Sequence, residues 1–138
     1  MKLYISGSSL DYGRMRLQFD NISNIDNVEI VYDWSNEPIV MKTGENYRTV
    51  SKKVTDHIKS CDAVLCIMDN PSRAYRGVFT EIGMALALDK PVAIYNSKDN
   101  KVFNYMTSDR IETSLHYQNE NCRVFKNFAD LISYLENF

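Results

Sequence analysis

Residues 62–95 read DAVLCIMDNPSRAYRGVFTEIGMALALDKPVAIY, and this stretch decides the fold. Its first apolar run, residues 63–68, has no polar alternation, which is typical of a strand covered on both faces. A helix is predicted from about Gly77 until Lys90 and Pro91 stop it. The apolar run VAIY follows the proline, which can begin a strand but not interrupt one. Strand, helix and strand in this order predict two parallel strands joined by a right-handed crossover.

The flanking residues alternate between strand and helix patterns in the same way. We therefore predict a flavodoxin-like α/β fold, in which four or five mainly parallel strands form a doubly wound sheet with helices on both faces. The further strands are predicted at residues 2–6, 28–32 and 122–125, and the further helices at 14–22, 45–61 and 127–138. Residues 96–121 are polar and either form a functional loop or hold a short helix around 102–107.

Length and composition indicate one domain that spans residues 1–138. Hydrophobic residues make up 44% and charged residues 25%, the balance of an ordinary globular protein. No apolar run approaches the roughly 18 residues of a spanning helix, and the first residues resemble a strand rather than a leader. We therefore expect a cytoplasmic protein with no membrane partner. The net charge of -2, with interleaved acids and bases, gives no basic stripe for a nucleic acid polymer.

The cysteines and histidines do not predict a metal or redox centre. Cys61, Cys66 and Cys122 contain no CxxC pair, which argues against a disulfide framework and against a zinc site. Only His57 and His116 are available as imidazole ligands, and we expect His57 to face water on its helix. No cofactor is therefore expected.

Small and polar residues gather where the predicted strands end. In an open parallel sheet, ligands bind in the crevice beyond these carboxyl ends. Backbone N–H groups and hydroxyls there suit an anion or a sugar, although the same residues also make simple turns. The candidates are Ser6, Gly7, Ser8 and Ser9 after the first strand, Asp33 and Trp34 after the second, and Asp69, Asn70, Ser72 and Gly77 after the third.

Glu81 is the most informative residue of the chain. It lies near the start of a helix that is otherwise mostly apolar over residues 78–88, so its carboxylate is either exposed or employed. The positive end of the helix dipole favours the ionised form that a nucleophile or a hydrogen-bond acceptor needs. Gly83 and Ala85 leave room beside it. The alternative is a glutamate that only stabilises the helix start.

The deciding stretch resembles the core of the nucleoside 2-deoxyribosyltransferase-like family, whose central helix follows the pattern GxxxExGxAxxxxKPV. The segments YISGS at 4–8 and YDW at 32–34 also resemble the first two strands of small family members. The positions that match the helix pattern are Gly77, Glu81, Gly83, Ala85, Lys90, Pro91 and Val92.

The resemblance implies N-glycosidic chemistry on a small nucleoside or nucleotide. Glu81 would attack the anomeric carbon, as the carboxylate of a retaining glycosidase does, and the sugar would pass to another base or to water. The resemblance also implies a dimer or larger homo-oligomer, for which the C-terminal helix offers an apolar contact. Tyr4 and Ser6–Ser9 would lie against the sugar or a 5′-phosphate, and Asp33, Trp34 and Asp69 would line the base side, with Asn70, Ser72 and Gly77 close by.

Two departures from the family pattern keep other functions open. Val54 stands where the family has an acid eight residues before Asp62, with Asp56 as the nearest carboxylate. Tyr75 stands six residues before Glu81, where the family has aspartate or serine. The rival functions are a non-catalytic nucleotide-binding or sequestering module and a TIR-like domain that processes NAD.

Two arginines bear on the choice of substrate. Arg73 and Arg76, beside Ser72, either meet a 5′-phosphate or are ordinary surface residues. A phosphate contact would favour a deoxynucleotide hydrolase over a transferase that acts on free nucleosides. Trp34 presents a similar choice, since it either stacks on a base or closes the rim of the core.

Overall fold

The computed structural model describes residues 1–37, 44–70, 72–97 and 119–138, and the side chains of all of these except 44–46. The predicted helix at 102–107 and His116 lie outside these residues. The strands are β1 Lys2–Ser6, β2 Glu29–Ile30, β3 Ala63–Ile67, β4 Val92–Tyr95 and β5 Cys122–Phe125, and the helices are α1 Tyr12–Ser23, α2 Gly44–Ser60, α3 Arg76–Ala87 and α4 Phe128–Glu136, with 3-10 turns at Ser9–Asp11 and Trp34–Asn36.

All five strands are parallel and form one sheet in the order β2-β1-β3-β4-β5. The predicted flavodoxin-like, doubly wound α/β fold is therefore confirmed. The chain order reverses between β1 and β3, so the loops after these two strands leave in opposite directions. A crevice opens between such loops, and it is the usual ligand site of this architecture.

The two faces of the sheet carry separate cores, because successive side chains of a strand point to opposite faces. Leu3 and Ile5 of β1 pack on one face with the buried residues of α1 and α4. Tyr4 lies on the other face, with the buried side chains of α3 and the last turns of α2. The face of Tyr4 is therefore the face on which α3 can present a side chain to β1.

The second strand is shorter than predicted. Pairing is limited to Glu29 and Ile30, which lie opposite Lys2 and Leu3. The chain then turns at residues 32–36 into a 3-10 turn, which ends the ladder and turns the backbone back over α1. Among the described helices, none combines the length and apolar character needed to cross a bilayer.

Candidate active site

Glu81 lies in the second turn of α3 and turns its carboxylate toward β1. Its Oε1 accepts a hydrogen bond from the Tyr4 hydroxyl at 3.2 Å, and its Oε2 accepts one from the Ser6 hydroxyl. Tyr4 and Ser6 are both buried, whereas Glu81 keeps part of its surface exposed. The structure thus brings three residues that the sequence singled out into direct contact at the carboxyl end of β1.

The electrostatics of this cluster follow from burial. Burial raises the pKa of Glu81, and the hydrogen bonds from Ser6 and Tyr4 offset part of that increase. Burial, followed by the neighbouring charge of Glu81, raises the pKa of Tyr4, so its hydroxyl stays neutral and remains a donor. Each carboxylate oxygen has two lone pairs, so each keeps one after accepting these bonds. The two hydrogen bonds therefore orient Glu81 and leave lone pairs with which it can act as a base or nucleophile.

The loop after β3 is tied to the segment after β1 and to the first turn of α1. Asp69 is buried and forms an ion pair with Arg14, whose Nη2 lies 2.8 Å from Asp69 Oδ2. Asn70 Nδ2 donates to Asp11 Oδ1 at 2.9 Å, and Arg73 donates to the same oxygen from Nε and Nη2. The crevice at the switch point is therefore crossed by a polar network, which holds the predicted residues Asp69 and Asn70.

The remaining loop residues have mixed surroundings. Ser8 accepts a hydrogen bond from the Leu10 N–H at 3.3 Å and so caps the first 3-10 turn, while Ser9 is exposed within it. The Ser72 N–H donates to Asn70 Oδ1 at 3.0 Å, which forms a local turn. Gly77 is open, since nothing lies within 4 Å of a Cβ placed there. These contacts stabilise the loops and leave Ser9 and Gly77 accessible.

Asp33 and Trp34 are engaged with the first helix and strand. Asp33 forms an ion pair with Arg16 at 2.9 Å. Although burial acts to raise the pKa of Asp33, hydrogen bonds from Ser35 and Arg16 lower it overall. Trp34 Nε1 donates to the Ile5 carbonyl at 2.8 Å, and its ring meets Phe19 edge to face. These contacts give Trp34 a packing role at the end of the sheet.

The residues at the two departures from the family pattern do not supply a second acid to Glu81. Val54 packs against the core on the Tyr4 face. Tyr75 is buried and begins α3 in a left-handed conformation at φ 52°, where its hydroxyl accepts the Asn70 N–H at 2.9 Å. Asp56 is exposed on α2 and pairs with Lys52 at 2.9 Å.

The structure also bears on three further expectations, which concern His57, the two arginines and the C-terminal helix. The prediction that His57 faces water is wrong, because its ring is half-buried and stacks on Tyr32 with centroids 4.8 Å apart. Arg73, a candidate for phosphate, is already paired with Asp11 at 2.9 Å, whereas Arg76 is exposed. The apolar residues Leu131 and Leu135 of α4 are buried in the chain's own core.

No group of three histidine, cysteine, aspartate or glutamate residues in the described ranges is arranged to hold a metal ion. An open groove of about 570 Å³ runs along the outer face of α2, where it is lined by Tyr47, Arg48, Ser51, Lys52, Thr55, Asp56 and Lys59. This groove contains none of the predicted site residues, and a wide cleft along one polar helix face lacks the convergent groups of a catalytic site. We therefore place the candidate site at Glu81.

Arg14, Asp11 and Asn96 are residues of this region that the sequence did not reveal. Arg14 and Asp11 look like ordinary charges at the start of an amphipathic helix, and only tertiary contact distinguishes them. Asn96 is fully buried at the end of β4. A signal for it was present, because a polar residue that directly follows an apolar strand repeats the position of Asp69 after β3.

Comparisons with known proteins agree with this geometry. A family model described as nucleoside 2-deoxyribosyltransferase matches residues 11–128, which confirms the resemblance. No curated protein matches the chain.

Several solved structures share its fold. A conserved protein from Enterococcus faecalis has a TM-score of 0.69 at 21% identity, with 99% of this chain and 98% of that one covered. A 2-deoxyribosyltransferase from Bacillus psychrosaccharolyticus has a TM-score of 0.65 at 18% identity, with 100% and 92% covered. A CMP N-glycosidase from Clostridium botulinum has a TM-score of 0.61 at 16% identity, with 99% and 98% covered.

Proposed function

The chain belongs to the nucleoside 2-deoxyribosyltransferase family, and on this premise we propose that it breaks the N-glycosidic bond of a 2-deoxynucleoside or its 5′-monophosphate, with Glu81 as nucleophile. One observation supports this proposal above the others: Glu81 is held at the carboxyl edge of the sheet by two hydroxyl donors, Tyr4 and Ser6. A carboxylate that only stabilised a helix start would face solvent instead.

The proposed reaction has two steps. A carboxylate oxygen of Glu81 attacks the anomeric carbon as the bond to the base breaks, and the base leaves with the bonding electrons and takes a proton from solvent. A second base or a water molecule then attacks the same carbon as the bond to Glu81 breaks. The incoming group loses its proton to solvent, the Glu81 carboxylate is released, and a new nucleoside or the free sugar is formed. The charge of Glu81 also stabilises the oxocarbenium-like transition state of each step.

Tyr4 and Ser6 orient the nucleophile in this scheme. Hydrogen bonds to a charged group are stronger than those between neutral groups, so the two hydroxyls offset the loss of hydration that accompanies burial. Ser9, Ser72 and Gly77 are the predicted binding residues that are exposed, and Ser9 and Gly77 are proposed to lie beside the sugar or its phosphate.

The choice between nucleoside and nucleotide rests on the arginines beside the crevice. Arg73 is paired with Asp11, and Arg14 is paired with Asp69. A 5′-phosphate must therefore displace one of these carboxylates from its arginine, or bind the arginine together with the carboxylate. One structure with the same fold is named as a glycosidase of the nucleotide CMP. Nucleosides and their monophosphates must therefore both be assayed.

A non-catalytic nucleotide-binding module is the second candidate function. The observation in its favour is that Glu81 accepts hydrogen bonds from two hydroxyl groups and, within the described residues, from no acid, so these contacts supply no proton donor for a leaving base. Val54 replaces a family acid and packs against the core, and Tyr75, which replaces a family aspartate or serine, is buried in it. Such a protein would bind the substrate and not turn it over.

Release of free base is the decisive measurement. The protein is incubated with each deoxynucleoside, each deoxynucleoside 5′-monophosphate and NAD, and the products are separated by chromatography. We expect base release from one of the first two substrate classes, and a loss of at least about 1,000-fold in the Glu81→Gln variant. Asp56→Asn is the matched control, because it neutralises an exposed carboxylate on α2 and should retain the wild-type rate.

The outcomes separate the candidates. Equal rates for Glu81→Gln and wild type would refute the nucleophile. Tight binding of a nucleotide without base release would favour the module. Release of nicotinamide from NAD would favour a TIR-like activity instead.

A further inference from the structure

Asn96 is a buried polar residue that the proposed chemistry does not use. It directly follows β4 and has no exposed surface. Its backbone N–H donates to the Phe125 carbonyl at 2.8 Å, which continues the sheet, but neither the nitrogen nor the oxygen of its side-chain amide has a hydrogen-bond partner in the described part of the chain. Buried side-chain amides are almost always paired in native proteins, so this one needs an explanation.

An unpaired buried amide destabilises a fold, because its hydration is lost and nothing replaces it. Groups of this kind persist where they serve a function that outweighs the loss of stability. A leucine of similar size would fill the same space without this penalty. The presence of asparagine at the end of an otherwise apolar strand therefore indicates a polar partner beyond the residues that the structure describes.

The position of Asn96 in the sheet indicates which site it serves. Ile94 belongs to the core on the Tyr4 face, together with Ile82 of α3. Strand alternation places the Asn96 side chain, two residues later, on this same face, which is also the face of Glu81. Asn96 lies at the carboxyl edge of the sheet, where ligands bind in this architecture.

The spacing between Asn96 and the nucleophile fits one ligand. β4 lies two strand spacings from β1, so about 10 Å across the sheet separates the strand that Asn96 follows from the strand whose hydroxyls hold the Glu81 carboxylate. This is comparable with the length of a nucleoside from its sugar to the far edge of its base. With the sugar at Glu81, the base would extend over β3 toward β4.

We propose that the Asn96 carboxamide recognises the edge of the substrate's base, and this inference rests on the proposed N-glycosidic function. A carboxamide presents a donor and an acceptor side by side, which matches a base edge with an adjacent acceptor and donor. The amide is covered, so the base reaches it only as the side chains above it shift. Binding then converts an unpaired buried group into a paired one and makes Asn96 a determinant of base specificity.

The experiment compares wild type with Asn96→Leu and Asn96→Asp. Thermal unfolding is measured without substrate, and kcat and KM are measured for the four deoxynucleosides and their 5′-monophosphates. We expect Asn96→Leu to unfold at a higher temperature than wild type. We also expect its KM for the preferred base to rise at least tenfold with a smaller change in kcat, and its preference among bases to flatten.

Asn96→Asp keeps the size of the side chain and loses its donor, so it should change the order of preferred bases even if the leucine variant folds poorly. Asn21→Leu, at an exposed position of α1, is the control and should leave KM unchanged. Unchanged KM values and base order in both Asn96 variants would overturn the inference, and they would identify the amide as structural, paired with a buried water.

Failure of this inference can be told apart from failure of the proposed function. If wild type releases base and the Asn96 variants share its specificity, only the inference fails. If no base is released, the same proteins are tested for stabilisation by deoxynucleotides in thermal unfolding. Stabilisation of wild type that Asn96→Leu lacks would support base recognition without catalysis, and no stabilisation of wild type would overturn both.

Discussion

Glu81 is a carboxylate whose ionisation opposes folding. Burial raises its pKa in the native state above the ordinary value, despite the hydrogen bonds from Ser6 and Tyr4. Between the unfolded and the native pKa, the native state binds more protons than the unfolded state. The free energy of unfolding must therefore fall as pH rises through that interval, and the loss persists at higher pH.

A substitution tests this linkage directly. Glu81→Gln removes the titration and keeps the side-chain size, so its stability relative to wild type should increase as pH rises from about 4.5, the ordinary pKa of glutamate, toward neutrality. Urea unfolding of both proteins from pH 4 to pH 8 measures the difference. Parallel stability curves would mean that the native pKa of Glu81 is not raised, and Asp56→Asn provides the comparison for an exposed carboxylate.

Residues differ in how well the sequence reveals them. Glu81 could be recognised because a charge in an apolar helix is unusual, and Ser6 because it ends a strand that enters the crevice. Tyr4 was indicated only by the resemblance to the family. Arg14 could not be recognised, since its partner Asp69 lies 55 residues away and an arginine at a helix start is common. Trp34 was ambiguous until its indole N–H was seen to bond the Ile5 carbonyl.

The first helix depends on a close approach to the loop after β1. A Cβ placed on Gly7 would lie 2.5 Å from both Sδ and Cε of Met15, a buried residue of α1. Non-bonded carbon and sulfur atoms do not approach so closely. Met15 of α1 can therefore pack against the backbone of residue 7 only because this residue has no side chain. This is a structural reason for the glycine, independent of any ligand.

We expect Gly7→Ala to lower the free energy of unfolding by about 1–2 kcal/mol, because the end of the Met15 side chain must move within a filled core. Met15→Ala alone should cost about 2–5 kcal/mol through the cavity it leaves. The double variant should cost less than the sum, since the new methyl group enters that cavity. Chemical denaturation of the four proteins gives the coupling energy, and strict additivity would contradict the contact.

At the scale of elements, the spacing of apolar residues and the local composition were sufficient to predict most strands and helices of the fold. The apolar runs that became β3 and β4, and the spacing that became α2, depend on local patterns that a sequence displays. β2 was predicted as five residues and has two, because its length depends on where the chain turns to pack residues 32–36 near α1. Such limits are set by tertiary contacts and not by strand propensity.

At the scale of the whole molecule, the parallel sheet brings the components of the candidate site together at the carboxyl ends of its strands. The loops after β1 and β3 diverge at the switch point. The Arg73–Asp11 pair joins them again, and the Arg14–Asp69 pair joins the first turn of α1 to the loop after β3. The site is therefore assembled from segments that are distant in sequence and held at a constant separation. This arrangement links the stability of the fold to the geometry around Glu81.

Removing one partner of the buried pair should show this link. Arg14→Met leaves Asp69, which is 4% exposed, without its cation, so the free energy of unfolding should fall by about 1–3 kcal/mol. The cost is below that of a fully buried pair because the Arg14 side chain is 37% exposed. Adding Asp69→Asn should recover part of the loss, since no buried charge then remains unpaired.

The matched control is Lys52→Met, which breaks the exposed pair with Asp56 on α2 and should leave stability unchanged within error. Base release by Arg14→Met, measured well below its unfolding temperature, then separates two roles for the pair. Because the pair holds the first turn of α1 against the loop after β3, across the crevice, we expect KM to rise while the variant is still fully folded. A variant that is destabilised but keeps the wild-type KM would mean that the loops hold their separation without Arg14, and that the crevice is set by the sheet alone.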